Sequence, residues 1–332
     1  MHSLLVLYID ESVVSQIFSY EDCVKTLESG LKSIDFGECR VLPRTKIEIK
    51  RQGDFRIMCA HIPDLKVIGT KSGFSVSQFL GNKISAESGE SILLYDSGSG
   101  ELKCIIRAFS INLMRTAAAT AIAAKYLANL NSSSVGLYGT GRHSIPQLIG
   151  LHTVIKFDDV NVYSPSLRHD EPKKNEFIKR ASEQINARFK CCDEPQDAAK
   201  SDIIIEATNS ESPVIRASWL HKGTHINSIG TARKGVRIIP DEVLQLCNVL
   251  CVPSKAEITS GFLSADVNDP IINRKIDITD FCSLDEVLKR KKKRLNEEDI
   301  TIFKMIGTPV YDTIIADALY FKALKIGVGV EI

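Results

Sequence analysis

Between residues 21 and 37 the apolar positions Val24, Leu27, Leu31 and Ile34 recur at helical spacing, which predicts a helix closed near Gly37. The pattern then changes. The stretches TKIEIK, FRIMCAHI, KVIGTKSGF, SILLYD and LKCIIRAF read as strands, with DSGSGE as a turn between the last two. The first third is thus expected to form a mostly antiparallel sheet beside one helix. The apolar run at the N-terminus lacks a basic start and a small-residue cleavage site, so it reads as a first strand rather than a leader. Residues 111–130 are rich in alanine, the best helix former, and predict a helix whose small side chains permit close packing. From 134 onward strand and helix patterns alternate. VGLYG, VNVYS, DIIIEAT, THINSIG and VLCVP are the strands, and helices are expected near 144–153 and 172–187. Such alternation argues for a parallel sheet with crossover helices. The stretch TPVYDTIIADALYFKALKIG returns to a helical period, closed by Gly327.

Length and composition narrow the class. A chain of 332 residues predicts two domains, and 44% apolar with 25% charged residues fits a globular protein. The net charge of +1 carries no footprint for nucleic acid, and no apolar run approaches the about 20 residues that span a bilayer. Nine cysteines lie scattered without a CxxC pair, which predicts neither a metal site nor a disulfide framework, but reduced thiols in the cytoplasm. The basic run KRKKKR at 289–294 stands between SLDEVL and LNEED and reads as a solvated, charge-balanced helix or loop.

Candidate chemistry begins at SSVGLYGTGRHS. An apolar strand runs into Gly139-Thr140-Gly141, with Ser144 where a third glycine usually stands. Glycine pairs of this kind also occur in ordinary tight turns. Here strand, glycines, helix and second strand follow within about 30 residues, the order of a dinucleotide-binding unit. Gly139 permits the turn, and Gly141 leaves no side chain between backbone and pyrophosphate. At the tip of the second strand stand Tyr163, Ser164, Pro165, Ser166, Leu167 and Arg168, without the acid that holds an NAD ribose. Two hydroxyls and an arginine suit a 2′-phosphate, which favours NADP over NAD.

VLPRTKI, KVIGTKSGF with FLGN downstream, MRTAAATAIAAKYLA before GLYGTGRHS, EATNSESPVI and FKMIGTPVYDTIIADALYFKAL occur in one order. Together they resemble the ornithine cyclodeaminase/mu-crystallin family over residues 5–327. The resemblance implies a Rossmann-type doubly wound parallel sheet at 119–306. It also implies an α+β substrate-binding and dimerisation domain from 1–118 and 307–332. It places Arg44, Lys71 and Arg115 around the substrate, with Lys71 as the catalytic group. The residues expected to bind the cofactor are Thr116, Gly139, Thr140, Gly141, Arg142, His143, Ser164, Ser166, Arg168, Thr208, Asn209, Ser210 and Gly230. No metal and no nucleic-acid partner are implied. A homodimer is expected, because the sheet of residues 45–110 is apolar on both faces and the helices can cover only one.

Two departures from the family matter. The acid that follows the IG strand in cyclodeaminases and alanine dehydrogenases falls at Ala232, between Thr231 and Arg233-Lys234. His143 stands where glutamine is common. Loss of the acid disfavours proton removal from an ammonium. The expected function is therefore an NAD(P)H-dependent reductase of a small imino or keto acid. Cyclodeamination of ornithine or lysine is the alternative, and a non-catalytic nucleotide-binding protein of the mu-crystallin type is a third.

Overall fold

The computed structural model describes residues 5–42, 44–49, 53–76, 89–230, 235–259 and 264–332. The first elements are β1 (Leu7–Ile9), α1 (Glu11–Ile17) and α2 (Tyr20–Ser33). Five strands follow: β2 (Arg40–Val41), β3 (Thr45–Ile49), β4 (Gly53–Ile62), β5 (Val67–Val76) and β6 (Glu90–Asp96). Then come β7 (Leu102–Arg107) and α3 (Phe109–Leu127). Next are β8 (Ser134–Tyr138), α4 (Ser144–His152), β9 (Asp159–Tyr163), α5 (Glu171–Ser182), β10 (Arg188–Cys191) and α6 (Pro195–Ala199). They lead to β11 (Ile203–Glu206), β12 (His225–Ser228), α7 (Asp241–Gln245), β13 (Val249–Val252), α8 (Lys255–Thr259) and α9 (Ala265–Ile272). The chain ends through β14 (Phe281–Ser283), α10 (Leu284–Leu288), β15 (Thr301–Lys304), α11 (Pro309–Ile326) and β16 (Val330–Glu331).

The described residues fall into two compact units. One takes those of 1–115 and 308–332, and the other those of 116–259 and 263–307. The first holds an eight-stranded sheet in the order β16-β1-β7-β6-β5-β4-β2, with β3 also on β4. Its pairings are antiparallel except β1 with β7. Helix α11 lies against β4, β5 and β6 and against α2. Both helices start on strong caps. Ser19 and Asp22 form a reciprocal capping box for α2, while Thr308 caps α11 with Pro309 in its first position. Gly327, at φ +70°, ends α11 in the left-handed conformation that favours glycine.

Side chains alternate across this sheet. Lys71 stands opposite Met58 and Ile92 and shares their face, which also carries buried Leu94, two residues along β6 from Ile92 and opposite Gly69. The other face carries Ile47, Phe55, Ile57 and Phe74, of which Ile47 is 61% exposed.

The second unit holds eight parallel strands in the order β10-β9-β8-β11-β12-β15-β13-β14. The strands are buried nearly throughout, as IIIE in β11 and VLCV in β13 show, because crossover helices cover both faces. The chain runs outward from β8 to β10 and then returns to β11 on the other side of β8. That reversal makes the β8/β11 crevice a topological switch point, the place where open α/β sheets bind ligands. Gly150 of α4 comes so close to α3 that an added Cβ would lie 2.8 Å from Ala117 Cβ. The alanine-rich sequence thus serves close helix packing.

The short strands β10, β14 and β15 fall outside the stretches read as strands from the sequence. In the basic run, Lys289 to Lys293 are exposed after α10, whereas Arg294 turns inward. It donates to the carbonyls of Leu127 (2.7 Å), Gly223 (2.9 Å) and Glu297 (3.1 Å). Its last member is therefore a clasp on backbone rather than a solvated charge.

Candidate functional site

The glycine segment lies at the C-terminal edge of the parallel sheet, between β8 and α4. Gly139 has φ +96°, and an added Cβ would lie 2.4 Å from the Ala207 carbonyl oxygen. It is therefore required both by its conformation and by the close approach of the β11 end. Its amide donates to Tyr163 O at 2.9 Å, which ties it to the tip of β9. Gly141 is different. Nothing lies within 4 Å of where its Cβ would stand. The space above it is open, as a cradle for a phosphate requires. Ser144 closes the turn by donating from Oγ to Gly141 O at 2.6 Å. The positive end of the α4 dipole faces the same segment.

Most of the other residues assigned to the cofactor follow β8, β9, β11 and β12 on this edge, whereas Thr116 lies within α3. Ser164 and Ser166 stand 2.9 Å apart through their Oγ atoms, and Thr140 Oγ1 lies 3.4 Å from each. Arg168 is exposed and pairs with Glu194 at 2.8 Å. Asp170, the nearest acid after β9, is occupied elsewhere: it caps α5 through Lys173 N and pairs with Lys173 Nζ. Thr208 Oγ1 accepts from Ser210 N at 3.1 Å, and Asn209 between them is exposed. At Gly230 an added Cβ would lie 2.9 Å from Thr208 O. Arg142 is exposed, His143 precedes α4 without a side-chain cap bond, and Thr116 is buried in α3. Residues 231–234, with Ala232 at the place of the family acid, lie outside the described residues, as do Pro43 of VLPRTKI and FLGN.

Behind this edge the second unit buries charge. Lys304 Nζ pairs with Asp266 at 2.7 Å and donates to Ser228 Oγ and Gly230 O, each at 3.2 Å. Asp266 also accepts from the amides of Ile238 and Ile239. Burial pushes the neighbouring Glu206 carboxyl up to about 8 against the pull of Lys304.

In the first unit a ring of side chains closes on itself. Lys71 Nζ contacts Glu90 Oε2 at 3.0 Å and Asp312 Oδ1 at 3.2 Å. The same Oδ1 accepts from Arg115 Nε at 3.2 Å. Arg115 Nη2 donates to Asn112 Oδ1 at 2.7 Å, and Asn112 Nδ2 returns to Glu90 Oε1 at 3.2 Å. Two cations and two carboxylates balance, and Arg44 adds its positive field at Asp312. Burial opposes ionisation of Asp312, but Arg115, Lys71 and then Arg44 outweigh it and hold the carboxyl below its usual range. A guanidinium and an ammonium placed side by side can grip a carboxylate and supply a proton.

Lys71, Arg115 and Arg44 were expected from sequence; Asp312, Glu90 and Asn112 were not. Asp312 lies in the first turn of α11, where an acid reads as a dipole partner. The signal that could have found it is its setting, between Tyr311 and Thr313 on a helix whose first turns are buried on every side.

Comparison with known proteins agrees with the motif order. The model of the ornithine cyclodeaminase/mu-crystallin family matches residues 6–326. The chain is 29% identical over 245 residues to Delta(1)-pyrroline-2-carboxylate reductase of Bacillus cereus, covering 73% of each chain. Among solved structures, the reductase of that name from Thermococcus litoralis, in complex with NADH and L-proline, superposes with a TM-score of 0.89. It is 28% identical, with 98% of this chain and 100% of that one covered. An archaeal alanine dehydrogenase dimer with bound NAD gives a TM-score of 0.85 at 26% identity, with 99% of both chains covered.

Proposed function

The chain belongs to the ornithine cyclodeaminase/mu-crystallin family, and from that premise we propose that it is an NAD(P)H-dependent reductase of a small imino or keto acid. The observation that carries the reading is the ring in which Lys71 and Arg115 share the buried Asp312 oxygen. The reductases and dehydrogenase it is similar to act on substrates of this size and charge.

The cofactor supplies a hydride when bound. Gly139, Thr140 and Gly141 would hold its pyrophosphate, with Thr208 to Ser210 and Gly230 bordering the same sheet edge. Thr140, Ser164, Ser166 and Arg168 would meet the adenosine ribose, and their hydroxyls and guanidinium favour NADP over NAD. In the first unit Arg115 and Arg44 would bind the substrate carboxylate, for which a planar guanidinium is suited by its paired donors. Lys71 would place a proton on the nitrogen or oxygen of the reacting double bond.

Two further features belong to this reading. The outer face of the first sheet, with Ile47 and Ile57 exposed, suits burial against a second copy, so the enzyme would be a homodimer. The nine cysteines are free thiols, which suits the reducing cytoplasm. Among the described residues no helix is long and apolar enough to cross a membrane.

The test is a panel assay of the purified chain. Delta(1)-pyrroline-2-carboxylate, and pyruvate with ammonia, are offered with NADPH or NADH, and nicotinamide absorbance is followed. Ornithine and lysine are offered with catalytic NAD, and ammonia is measured. Net cofactor oxidation with the imino or keto acids is expected. Many turnovers of ammonia release without net cofactor change would replace the reductase with a cyclodeaminase.

A further inference from the structure

Two carboxylates face the Lys71 ammonium, and their environments differ. The Asp312 side chain is 1% exposed, and one of its oxygens is shared between Lys71 and Arg115. The Glu90 side chain is 19% exposed and sits at the start of β6, opposite Gly73 of β5. It forms an ion pair with Lys71 through Oε2, a buried atom outside hydrogen-bond geometry, and accepts from Asn112 through Oε1. Arg44 adds its positive field at Asp312, and Cys23 of α2, which is fully buried, lies within electrostatic reach of Arg115 and Asp312.

We propose that Glu90 returns a proton to Lys71 after each turnover, while Asp312 holds Lys71 and Arg115 in place. This rests on the reading of Lys71 as the proton donor. In the reduction the imine carbon receives the hydride with its electron pair, and the C=N π bond breaks. That pair goes to nitrogen, which takes a proton from Lys71 Nζ. An N–H bond forms, the imine is reduced to the amine, the nicotinamide is oxidised, and Lys71 is left as a neutral amine. Glu90 then takes a proton from solvent through its partly exposed side chain and, with a small rotation that brings its carboxyl into hydrogen-bond geometry, passes it across the 3.0 Å ion-pair contact to Nζ. The sum is imine, reduced cofactor and one proton giving amine and oxidised cofactor.

Glu90 suits this role where its neighbours do not. Asp312 is sealed, and the cations around it favour its ionised form. Burial pushes the Cys23 thiol up, so it does not exchange protons near neutral pH. Asn112, which accepts from Arg115 and donates to Glu90 Oε1, keeps the Glu90 carboxyl beside Nζ. Glu90 and Asp312 are positioning residues here, since they act through Lys71.

The experiment compares Glu90→Gln, Glu90→Asp, Asp312→Asn and Lys71→Met in the full chain, each checked for folding by thermal melting and for NADPH binding. For Glu90→Gln we expect kcat to fall about tenfold to a hundredfold with KM nearly unchanged. Its solvent deuterium isotope effect should rise, and formate or acetate should restore rate in proportion to concentration. Glu90→Asp should retain part of the rate. Asp312→Asn should instead raise KM as well and gain nothing from the buffers. An unchanged kcat in Glu90→Gln overturns the proposal. So does a folded, NADPH-binding Glu90→Gln whose lost rate neither buffer nor aspartate restores. A Lys71→Met variant with undiminished rate would overturn the underlying reading of Lys71, whatever the Glu90 variants do.

Discussion

Thr313 packs into the space that Gly69 leaves open: a Cβ built on Gly69 would lie 2.2 Å from Thr313 Oγ1 and 2.9 Å from Thr313 Cβ. This contact sets the distance between β5 and α11 two residues along the strand from Lys71 and one residue from Asp312. Gly69→Ala should push the helix away and stretch the Lys71–Asp312 ion pair. A loss of about 1–3 kcal/mol in stability is expected, together with a fall in kcat/KM. Thr313→Ala removes the Oγ1 and Cγ2 contacts but keeps Cβ, so the double variant should recover only part of both. Denaturant midpoints and steady-state rates check this. A Gly69→Ala enzyme with wild-type stability would show that the helix and strand are not held at this spacing.

The two cradle glycines should fail differently. Gly139 needs its positive φ and meets the Ala207 carbonyl, so Gly139→Ala should destabilise the fold by about 1–3 kcal/mol or more. Gly141 has open space around its missing Cβ, so Gly141→Val should leave the melting temperature near that of the parent. It should nonetheless abolish NADPH binding, because the added side chain occupies the place proposed for the pyrophosphate. Calorimetry with and without cofactor separates the two. Undiminished NADPH binding by folded Gly141→Val would put the cradle elsewhere.

Much of this was readable along the chain, and the reason is period. The α3 alanines, the β8-to-β9 unit and the two-residue alternation of β4 to β7 are all local patterns that span enough residues to repeat. Lys71, Arg44 and Arg115 were singled out only because motifs placed them. Their partners were not, because proximity is made by folding: Lys71 and Asp312 are 241 positions apart. A buried acid in a first helical turn has the same sequence signature as an exposed one. The same holds for Glu206, Asp266 and Lys304, which sit at the ends of short apolar elements and reveal their charge pairing only in three dimensions. Arg294 was read with its basic neighbours, although two of its three carbonyl partners, Leu127 and Gly223, come from segments far from it in sequence.

Buried groups of the second unit should give the protein two opposite pH limbs. His225, enclosed in β12 with Thr301 and Asn227 as partners, is pushed down by burial from 6.5 to about 3. Between those values the folded state binds fewer protons than the unfolded one. Its contribution is complete above pH 6.5 and is lost as pH falls toward 3. Glu206 is pushed up from 4.5 to about 8, so over that range the folded state binds more protons, and stability falls as pH rises. Urea midpoints across pH should therefore show Glu206→Gln equal to the parent near pH 4.5 and increasingly more stable toward pH 8. A constant offset between the two across that range would show that Glu206 does not titrate with folding.

Cofactor choice is the sharpest test of the β9 tip. An NAD site needs a carboxylate for the ribose 2′-hydroxyl, and the acid nearest the tip, Asp170, is committed to the cap of α5. What stands beside the tip instead is a group of three hydroxyls, Thr140, Ser164 and Ser166, with Arg168 two residues further on. Hydroxyls and a guanidinium are donors that suit a phosphate. Arg168 is held by Glu194, but the pair is about half exposed and such pairs are worth about 0–1 kcal/mol, less than a phosphate offers in exchange. Each charge-assisted hydrogen bond contributes about 1.5–3 kcal/mol, so NADPH should bind about tenfold tighter than NADH or better. Arg168→Ala should cost NADPH most of that advantage and leave NADH unchanged. Glu194→Gln should strengthen NADPH binding slightly, because the arginine no longer has a carboxylate to leave. Titration of the three proteins with both cofactors decides it. Equal affinities in the parent chain, or an Arg168→Ala variant that weakens NADH as much as NADPH, would remove the 2′-phosphate from this site.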